Sequence, residues 1–405
     1  MPDPSNGGCT GTMTRKEAVN TKIKTCGTPL QYTIGVLEKI PPILGDTCKL
    51  VRELTKPVKR LYVRVNTARI SVERYLELLG EHGIRFYRDE EIAEAIWTEV
   101  HGPFEVPVYR GRVIADKKAS ESVLLGSDLY APGVIGASHF RKGQKVTVVS
   151  ENGVIVGAGT AIMDPGEMMS STKGLAVRIE HPRYKSYRVR DLPGYHEGYI
   201  YGQSISSMYV GHIIDPEPGQ TIIDLTAAPG GKISHIAQKA SPDTRIIAVD
   251  RPSKRQKLIE TLRRLGLEKR VEVLGLDSRK ITSKIPSLRE TADIVLVDPP
   301  CTNLGVRPKV YDLKREQDVR NMVLYQRGFI REAYKLLKPG GILVYSTCTL
   351  TSSENTGNVT WAEALGFELI GSPRLLRRPI YAGDTLWFNP LDGIPGFFIA
   401  LLRKQ

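Results

Sequence analysis

The fold is decided by the stretch Asp293-Ile-Val-Leu-Val-Asp-Pro-Pro-Cys301. Its run of β-branched and aliphatic residues is typical of a central parallel strand, and a cysteine follows shortly after that strand. A second stretch of the same kind is Ile342-Leu-Val-Tyr-Ser-Thr-Cys348. Open α/β sheets bind their ligands beyond the carboxyl ends of such strands. The two stretches therefore predict a paired-thiol site in a nucleotide-binding fold.

Strands and helices alternate from residue 221 onward, which predicts a Rossmann-like, doubly wound parallel sheet within a domain of residues 191–405. The predicted strands are 221–225, 245–250, 271–276, 293–297 and 342–346. The predicted helices are 232–240, 253–265 and 323–337. Two later strands, 367–370 and 396–402, are expected to pair as an antiparallel hairpin at the sheet edge.

The composition is that of an ordinary globular protein. The chain has 405 residues, with 41% hydrophobic and 25% charged residues, which excludes a disordered or membrane class. No apolar run approaches the length of a membrane span and no signal peptide is evident, so a cytoplasmic location is expected. Five cysteines, an odd number without C-x-x-C spacing, argue against a disulfide framework and against a zinc site. Cys9, Cys26 and Cys48 are therefore expected to be incidental, and no metal is expected.

The charge of the chain favours a polyanionic partner. There are 57 Lys and Arg against 44 Asp and Glu, a net charge of +13 with a pI near 9.4. Residues 106–190 hold 13 Lys and Arg against 7 Asp and Glu, so nearly half of the excess lies in about a fifth of the chain. This distribution indicates a basic patch, although a generally basic surface is the alternative.

Three further regions precede the predicted α/β domain. Residues 1–14 are polar and turn-rich, and a disordered tail is expected there. Residues 15–105 are predicted to form a small α+β domain, with a strand at 61–65 and a helix capped by Ser71. Residues 106–190 are predicted to form a β-rich barrel or sandwich. Its predicted strands are 106–114, 145–150, 154–162 and 175–180.

The loop after the first strand of the predicted α/β domain has the features of a cofactor site. Small residues from Thr226 to Gly231 would let the backbone approach a ligand, and the helix after them offers free amides. The loop is not G-x-G-x-x-G, so a dinucleotide is disfavoured. Asp250 ends the next strand, 20 residues after Gly230, where it can accept bonds from ribose hydroxyls. Asp277 could bind an adenine amino group or could cap a helix.

Together these features point to S-adenosylmethionine as the cofactor, a nucleoside without a pyrophosphate. The predicted cofactor-binding residues are Thr226, Ala227, Ala228, Pro229, Gly230, Gly231, Lys232, Asp250, Asp277 and Asp298.

Two thiols suit the methylation of carbon 5 of cytosine, which is a poor nucleophile. A thiolate that adds to carbon 6 makes carbon 5 able to attack a methylsulfonium, and a proton donor must hold the base edge. The carbon 5 proton must then leave before elimination frees the enzyme. One cysteine would be the nucleophile, Asp298 would hold the base, and the other cysteine would assist release. The alternative is a pair of buried structural thiols.

Three motifs resemble those of the Nop/Sun family of RNA cytosine-carbon-5 methyltransferases. They are the runs 224–232, 298–301 and 345–349, and the match extends from about residue 60 to the C-terminus. The resemblance implies that Cys348 is the nucleophile and that Cys301 serves product release. It also implies that Asp298 and Lys232 contact the target base, and that the cofactor contacts are Asp250 and Asp277.

The middle region resembles a PUA domain, an RNA-binding module, in its runs 124–133 and 140–143. A PUA domain before the catalytic domain is similar to the sixth Sun-domain branch, which methylates cytosine 72 of tRNA. The resemblance implies a tRNA partner whose acceptor stem and CCA end are bound. The expected RNA-binding residues are Tyr130, Arg141, Lys142, Arg183 and Lys185. The stretch 183–190 mixes charges with aromatic residues, as RNA contacts require, but a solvated linker would have the same composition.

Two positions depart from the family pattern. Thr302-Asn303 replaces the usual Ser-Gly after the first cysteine, and Thr356 stands where an acidic residue is more common. Neither change removes a group that the chemistry needs. Three other functions remain open: the same reaction on ribosomal RNA, a non-catalytic RNA-binding or assembly factor, and methylation of a small molecule or protein. No obligate protein partner is inferred.

Overall fold

The computed structural model describes residues 22–373 and 376–405. The predicted tail, residues 1–14, and Cys9 lie outside the described residues. The described part of the chain contains four β-sheets, of three, six, four and nine strands. Within this part, none of the helices combines the length and the apolarity that crossing a bilayer requires.

The N-terminal region contains two small sheets. Its elements are β1 (Ile23–Lys24), β2 (Leu30–Thr33), α1 (Ile34–Leu37), α2 (Thr47–Leu54), β3 (Arg60–Val65), α3 (Val72–Glu81), β4 (Tyr87–Arg88) and β5 (Ala95–Glu99). The predicted strand and helix are confirmed as β3 and α3. The Ser71 hydroxyl accepts a hydrogen bond from the Arg74 amide (3.2 Å), and α3 buries Tyr75 and Leu79. The cap and the apolar spacing together explain why the helix forms here.

The expectation that no disulfide forms is wrong for one pair. Cys26, in the turn before β2, is bonded to Cys48 in the first turn of α2. Arg52, one turn further along α2, donates a hydrogen bond to the Cys26 carbonyl (3.2 Å). The bond depends on how that turn meets α2 in space, which the separation of 22 residues along the chain does not encode.

The middle region forms the six-stranded sheet, in the order β7-β11-β10-β9-β6-β8. Its elements are β6 (Gly111–Ala115), α4 (Lys117–Val123), β7 (Leu129–Tyr130), β8 (Val134–Ala137), β9 (Lys145–Ser150), β10 (Ile155–Ala161), α5 (Pro165–Ser170) and β11 (Leu175–Pro182). The predicted strand 106–114 is wrong before Gly111. Pro107 has no amide to donate to a sheet, and the Tyr109 amide bonds the Thr147 hydroxyl (2.7 Å). The other three predicted strands are confirmed as β9, β10 and β11.

The C-terminal region carries the nine-stranded sheet. Its first elements are β12 (Ile200–Gly202), α6 (Ile205–Ile214), β13 (Thr221–Asp224), α7 (Gly231–Lys239), β14 (Arg245–Asp250), α8 (Pro252–Leu265), β15 (Glu272–Gly275), α9 (Ile281–Lys284) and β16 (Ala292–Val297). The elements after them are β17 (Asp312–Lys314), α10 (Glu316–Leu336), β18 (Leu337–Thr347), α11 (Thr356–Glu363), β19 (Phe367–Ile370), β20 (Ile380–Ala382), β21 (Thr385–Phe388) and β22 (Phe397–Lys404). Helix α10 begins at Glu316 instead of 323, because Asp318 accepts a bond from the Arg315 amide (2.8 Å) and caps the first turn.

The parallel core of this sheet confirms the predicted α/β fold. Strands β15, β14, β13, β16 and β18 lie in that order, all parallel. The predicted antiparallel pairing of the last strands is confirmed, because β19 pairs with β22. Their expected position as an edge hairpin is wrong. Strand β22 lies inside the sheet, paired with β18 on one side and with β19 and β21 on the other. The β20–β21 pair, which the sequence pattern does not predict, extends the sheet beyond it.

The regions share elements across the predicted boundaries at 105 and 190, which stay predictions. Strand β12 pairs with β3 in the four-stranded sheet, and β17 pairs with β2 in the three-stranded sheet. Helix α2 buries Leu50 and Leu54 in the same apolar cluster as Ile223 and Val295 of the nine-stranded sheet. The N-terminal residues therefore cover one face of that sheet.

A linking segment, residues 302–312, runs from the nine-stranded sheet to β17 of the three-stranded sheet and packs on the six-stranded sheet on the way. The buried Arg307 guanidinium donates to the carbonyls of Lys56, Pro57 and Pro390. Val310 is buried in the core of the six-stranded sheet, where the Asn152 amide donates to its carbonyl (3.3 Å). At the end of the segment, Asp312 is buried among Lys117, Lys309 and Lys314. The segment is thus fixed along its length.

Candidate active site

The carboxyl ends of the five parallel strands meet at one edge of the nine-stranded sheet, here called the carboxyl edge. Strand β13 ends at Asp224 and β14 at Asp250, and Asp277 follows β15. The turns after β16 and β18 carry Cys301 and Cys348. The structure therefore brings together the cysteines and the carboxylates that the strand-end rule predicts.

The two thiols are in direct contact. The sulfur atoms of Cys301 and Cys348 lie 3.1 Å apart. Cys301 is buried, whereas Cys348 is partly exposed and lines a cleft. The hydrogen bond with Cys348 and burial raise the pKa of the Cys301 thiol well above its usual value. Cys301 therefore stays protonated at neutral pH, and Cys348 is the sulfur that a ligand in the cleft can reach.

Asn303, one of the two departures noted above, lies against both thiols. Its carboxamide oxygen is 3.0 Å from the Cys348 sulfur and 3.3 Å from the Cys301 sulfur. Its backbone has a φ of 58°, in the left-handed region that favours glycine. The larger residue thus places a polar group in contact with both thiols at the cleft.

Asp298 and Lys232 form an ion pair beside the thiols. The Lys232 Nζ lies 2.5 Å from Asp298 Oδ2, and the Ser346 hydroxyl donates to Asp298 Oδ1 (3.0 Å). The Asp298 amide donates to the Thr226 hydroxyl (2.8 Å). Burial alone would lower the pKa of Lys232, but the charge of Asp298 outweighs it and the pKa lies above its usual value. The lysine therefore holds its charge at the carboxyl edge.

The loop between β13 and α7 is held by a buried carboxyl group. Asp224 Oδ1 accepts a hydrogen bond from the Thr226 amide (2.9 Å), and burial raises the pKa of Asp224 to about 7. Gly230 immediately precedes α7 with a φ of 113°, and a Cβ there would lie 3.0 Å from the Thr261 methyl carbon. Only glycine fits this position without strain, which explains the glycine at this point of the predicted cofactor loop.

Two clefts open on either side of this loop. A cleft of about 380 Å³ lies beside Cys348, and a smaller one of about 240 Å³ shares part of its lining. Of the predicted cofactor residues, the larger cleft is lined by Thr226, Ala228, Asp250, Asp277 and Asp298. The smaller cleft is lined by Thr226, Ala227, Ala228, Pro229, Gly231, Lys232 and Asp298. Gly230 lines neither cleft.

The two strand-end carboxylates face the larger cleft with different partners. Asp250 accepts a bond from the Ala228 amide (3.0 Å). Asp277 accepts from the amide of Arg279 (3.1 Å) and from its guanidinium (2.8 Å), and this hydrogen bonding lowers the pKa of Asp277. Asp277 therefore caps the short helical turn after it and also lines the cleft. Capping the helix and binding an adenine amino group, the two predicted roles of this residue, are thus compatible.

The donor set of the larger cleft fits S-adenosylmethionine. Carboxylates accept hydrogen bonds from hydroxyl and amino groups, and Asp250 and Asp277 stand on adjacent strand ends. Leu225, Pro300 and Phe329 supply apolar walls for a base and a ribose ring. A nucleoside with free hydroxyls and an amino group thus matches the residues present.

Glu354 is a site residue that the sequence pattern does not predict. Its buried carboxylate accepts bonds from the backbone amide and the hydroxyl of Thr302 and from the hydroxyls of Thr349 and Thr351. It also accepts from the Gln326 amide (3.0 Å). Thr302 follows Cys301 and Thr349 follows Cys348, so one carboxylate ties both cysteine turns together. The sequence does contain a signal for this role, because Glu354 ends a run rich in hydroxyl side chains that begins at Thr349.

The predicted RNA-binding residues are not gathered at one place. Tyr130 is 51% exposed and lines a cleft of about 800 Å³ with Arg188 and Arg190. Arg141 and Lys142 are exposed in the loop before β9. Lys185 lines another cleft, of about 510 Å³, which lies between the four-stranded sheet and the segment after β11. Arg183 is exposed, and its carbonyl accepts a bond from the Phe104 amide (2.7 Å). The structure adds Arg188 and Arg190 to the surroundings of Tyr130.

Comparison with family models finds two matches along the chain. Residues 211–365 match the family described as 16S rRNA methyltransferase RsmB/F. Residues 111–183 match the PUA domain. The first match contains the carboxyl edge, and the second contains most of the six-stranded sheet.

Named relatives resemble the chain over most of its length. The tRNA (cytosine(72)-C(5))-methyltransferase of Pyrococcus horikoshii is 39% identical over 372 residues, which cover 88% of this chain and 92% of the relative. The tRNA (cytosine(72)-C(5))-methyltransferase NSUN6 of Mus musculus is 32% identical over 350 residues, 77% of this chain and 73% of the relative. The crystal structure of NSun6 from Pyrococcus horikoshii with SFG has a TM-score of 0.85 at 37% identity, covering 92% of this chain and 98% of that one.

Proposed function

Since this chain belongs to the RsmB/F (Nop/Sun) family of RNA cytosine-carbon-5 methyltransferases, we propose that it methylates carbon 5 of a cytosine in tRNA. The target that we propose is cytosine 72 in the acceptor stem, the position in the names of its relatives. The observation that carries the proposal is the pair of thiols 3.1 Å apart beside the ion pair of Asp298 and Lys232. When bound, S-adenosylmethionine, of which SFG is an analogue, supplies the methyl group.

The geometry supports a division of labour between the cysteines. Cys348 lines the cleft, so its thiolate would form the bond to carbon 6 of the base, and the electron pair of the ring double bond moves to carbon 5. Asp298 and Lys232 would hold the polar edge of the base while this charge develops. After methylation the carbon 5 proton would pass to water in the cleft, the electrons of the carbon–hydrogen bond re-form the ring double bond, and the carbon–sulfur bond breaks so that its electron pair returns to Cys348. Cys301, buried and protonated beside Cys348, would assist that release.

The cofactor contacts follow from the lining of the larger cleft. Asp250 would accept bonds from ribose hydroxyls, and Asp277 from the adenine amino group. The loop from Thr226 to Gly231 would lie against the rest of the cofactor, since its small residues leave backbone within reach. Asp298 lines both clefts, so it is placed to contact cofactor and base.

The RNA contacts that we propose lie on the six-stranded sheet. Tyr130 would stack on an unpaired base of the CCA end, since it is exposed in a cleft with two arginines. Arg141 and Lys142 would contact phosphates from the loop before β9, and Arg183 and Lys185 would do so nearer the N-terminal sheet. A tRNA substrate would also place the enzyme in the cytoplasm.

Methyl transfer from labelled S-adenosylmethionine to unmodified tRNA and rRNA tests the proposal. We expect label as 5-methylcytosine at the acceptor end of tRNA, and none with a Cys348→Ala variant as the control. Label in rRNA alone would overturn the tRNA substrate. No label in either RNA would overturn the catalytic proposal and favour an RNA-binding or assembly factor.

Ribosomal RNA is the second candidate substrate. The family matched by residues 211–365 is described by a 16S rRNA activity, and those residues contain the thiols and both clefts. The match to a PUA domain and the coverage by tRNA-modifying relatives favour tRNA. A competition assay with both RNAs in one reaction separates the two, because the preferred substrate takes most of the label.

A further inference from the structure

Asn303 occupies a backbone position that glycine normally takes. Its φ of 58° lies in the left-handed region, where asparagine is among the few residues tolerated besides glycine. Asparagine therefore adopts the backbone turn that glycine would allow and adds a carboxamide at that point.

The carboxamide contacts both sulfur atoms. Its oxygen lies 3.0 Å from Cys348 Sγ and 3.3 Å from Cys301 Sγ, and the Asn303 backbone amide donates to Cys301 Sγ (3.4 Å). The residue is exposed at the cleft and lies within reach of solvent. Among the described residues, this is the one side chain that bonds both thiols.

An amide group carries an acceptor and a donor at its two ends, and a half turn about its last bond exchanges them. While both thiols are protonated, the oxygen accepts their S–H groups. When the Cys348 thiol has lost its proton to solvent through the cleft, the oxygen faces a negative charge. The half turn then presents N–H donors to the thiolate, a charge-assisted bond.

We propose that Asn303 is a positioning residue, which holds the two thiols in contact and stabilises the Cys348 thiolate by turning its amide. This role rests on the proposed function, since it concerns the sulfur assigned as the nucleophile. Two charged groups of the site, Lys232 and Asp298, are paired with each other. Glu354, also nearby, is fully bonded to uncharged donors. Asn303 is thus the group free to respond when the thiol ionises.

Alkylation of the thiols by iodoacetamide tests this role without RNA or cofactor. The reaction forms a sulfur–carbon bond and releases iodide, and its rate follows the thiolate fraction. The rate at Cys348 is followed by peptide mass spectrometry over a range of pH in wild type, Asn303→Gly and Asn303→Asp. Glycine suits the backbone but lacks the carboxamide, and aspartate keeps the shape but cannot donate. Glu290→Gly is the matched control, because Glu290 also has a positive φ (51°) and lies away from the thiols.

We expect the pH of half-maximal alkylation to rise by about one unit in Asn303→Gly and by more in Asn303→Asp. Glu290→Gly should match wild type. Identical profiles in all four proteins, or an equal shift in the control, would overturn the role of Asn303.

The same variants separate this role from the proposed function. In single-turnover methyl transfer to tRNA, Asn303→Gly should be roughly 10-fold slower at neutral pH and should recover as the pH is raised. A slower rate that no pH restores would overturn the stabilisation of the thiolate. Should wild type fail to methylate tRNA while the alkylation profiles shift as expected, the proposed function fails and the role of Asn303 at the thiols stands.

Discussion

Polar residues are paired with one another at the carboxyl edge of the nine-stranded sheet, whereas on the six-stranded sheet they are exposed and lie apart. At the carboxyl edge, the side chain of Lys232 is 14% exposed and is paired with Asp298 at 2.5 Å. On the six-stranded sheet, Tyr130 and Lys142 are exposed and lie in different places. The first region fixes a few atoms tightly, and the second offers charge and ring surface to a large partner. Substitutions should therefore abolish function at the edge and weaken it by degrees on the sheet.

The largest effect is expected from the thiols. Cys348→Ala should lower methyl transfer on the order of 10⁴-fold or more and form no covalent adduct, because the nucleophile is lost. Cys301→Ala should instead accumulate an RNA–protein adduct, since addition proceeds and release stalls. Denaturing gels with labelled RNA measure the adduct. A Cys301→Ala enzyme that turns over freely would contradict the division of labour at the edge.

The next effect concerns the carboxylate beneath the thiols. Glu354→Ala should lower the free energy of unfolding by about 2–4 kcal/mol, because it leaves buried donors such as the Thr302 amide without a partner. Glu363→Ala, an exposed residue of α11, is the control and should change stability by about 0.5 kcal/mol or less. Denaturant unfolding measures both. A Glu354→Ala protein as stable as its control would mean that contacts other than those of Glu354 hold the two cysteine turns in place.

A third effect follows from burial of Asp224, whose pKa is raised to about 7. The folded protein binds this proton more tightly than the unfolded chain, so unfolding free energy falls as pH rises from about 4 to about 7. Asp224→Asn keeps an oxygen for the Thr226 amide and removes this fall. Its stability relative to wild type should grow by about 1.4 kcal/mol for each pH unit in that window. Thermal unfolding of both proteins across this pH window measures the difference. The prediction is refuted if the two curves of unfolding free energy against pH stay parallel.

The smallest effect is expected on the six-stranded sheet. Tyr130→Ala should raise the KM for tRNA roughly 10-fold and leave kcat unchanged, because stacking on one base contributes about 1–3 kcal/mol. Tyr381→Ala is the control, an exposed tyrosine on β20 of the nine-stranded sheet. Steady-state kinetics with tRNA distinguish them. A fall in kcat for Tyr130→Ala would contradict the proposed difference between the two regions, because Tyr130 would then affect the reaction and not only the binding of tRNA.

The carboxyl edge could be predicted from sequence because each of its parts is marked locally. An apolar strand followed by Asp250, Cys301 or Cys348 is visible in the sequence, and parallel strands bring such ends together by topology. The predicted strands of the parallel core are therefore confirmed as β13, β14, β15, β16 and β18. The roles of the individual residues remain proposals.

What could not be predicted depends on contacts between distant parts of the chain. The bond of Cys26 to Cys48 and the convergence of Thr302, Thr349 and Thr351 on Glu354 arise only when the elements pack. The interior position of β22 has the same origin, because β18, β19 and β21 all have to be placed before it is fixed. Periodicity describes one element at a time and carries no information on such pairings.

The linking segment fixes the distance between the thiols and the six-stranded sheet. Thr302 at one end is bonded beneath the thiols, and Val310 near the other is buried in the core of the six-stranded sheet. The six-stranded sheet, where we propose that the RNA end binds, and the thiols, where we propose that the base reacts, are therefore joined by a segment whose anchors are buried. With this distance fixed, we expect the enzyme to select its cytosine by the number of nucleotides between that base and the bound RNA end. Lengthening the RNA overhang by one nucleotide should present a different base to Cys348.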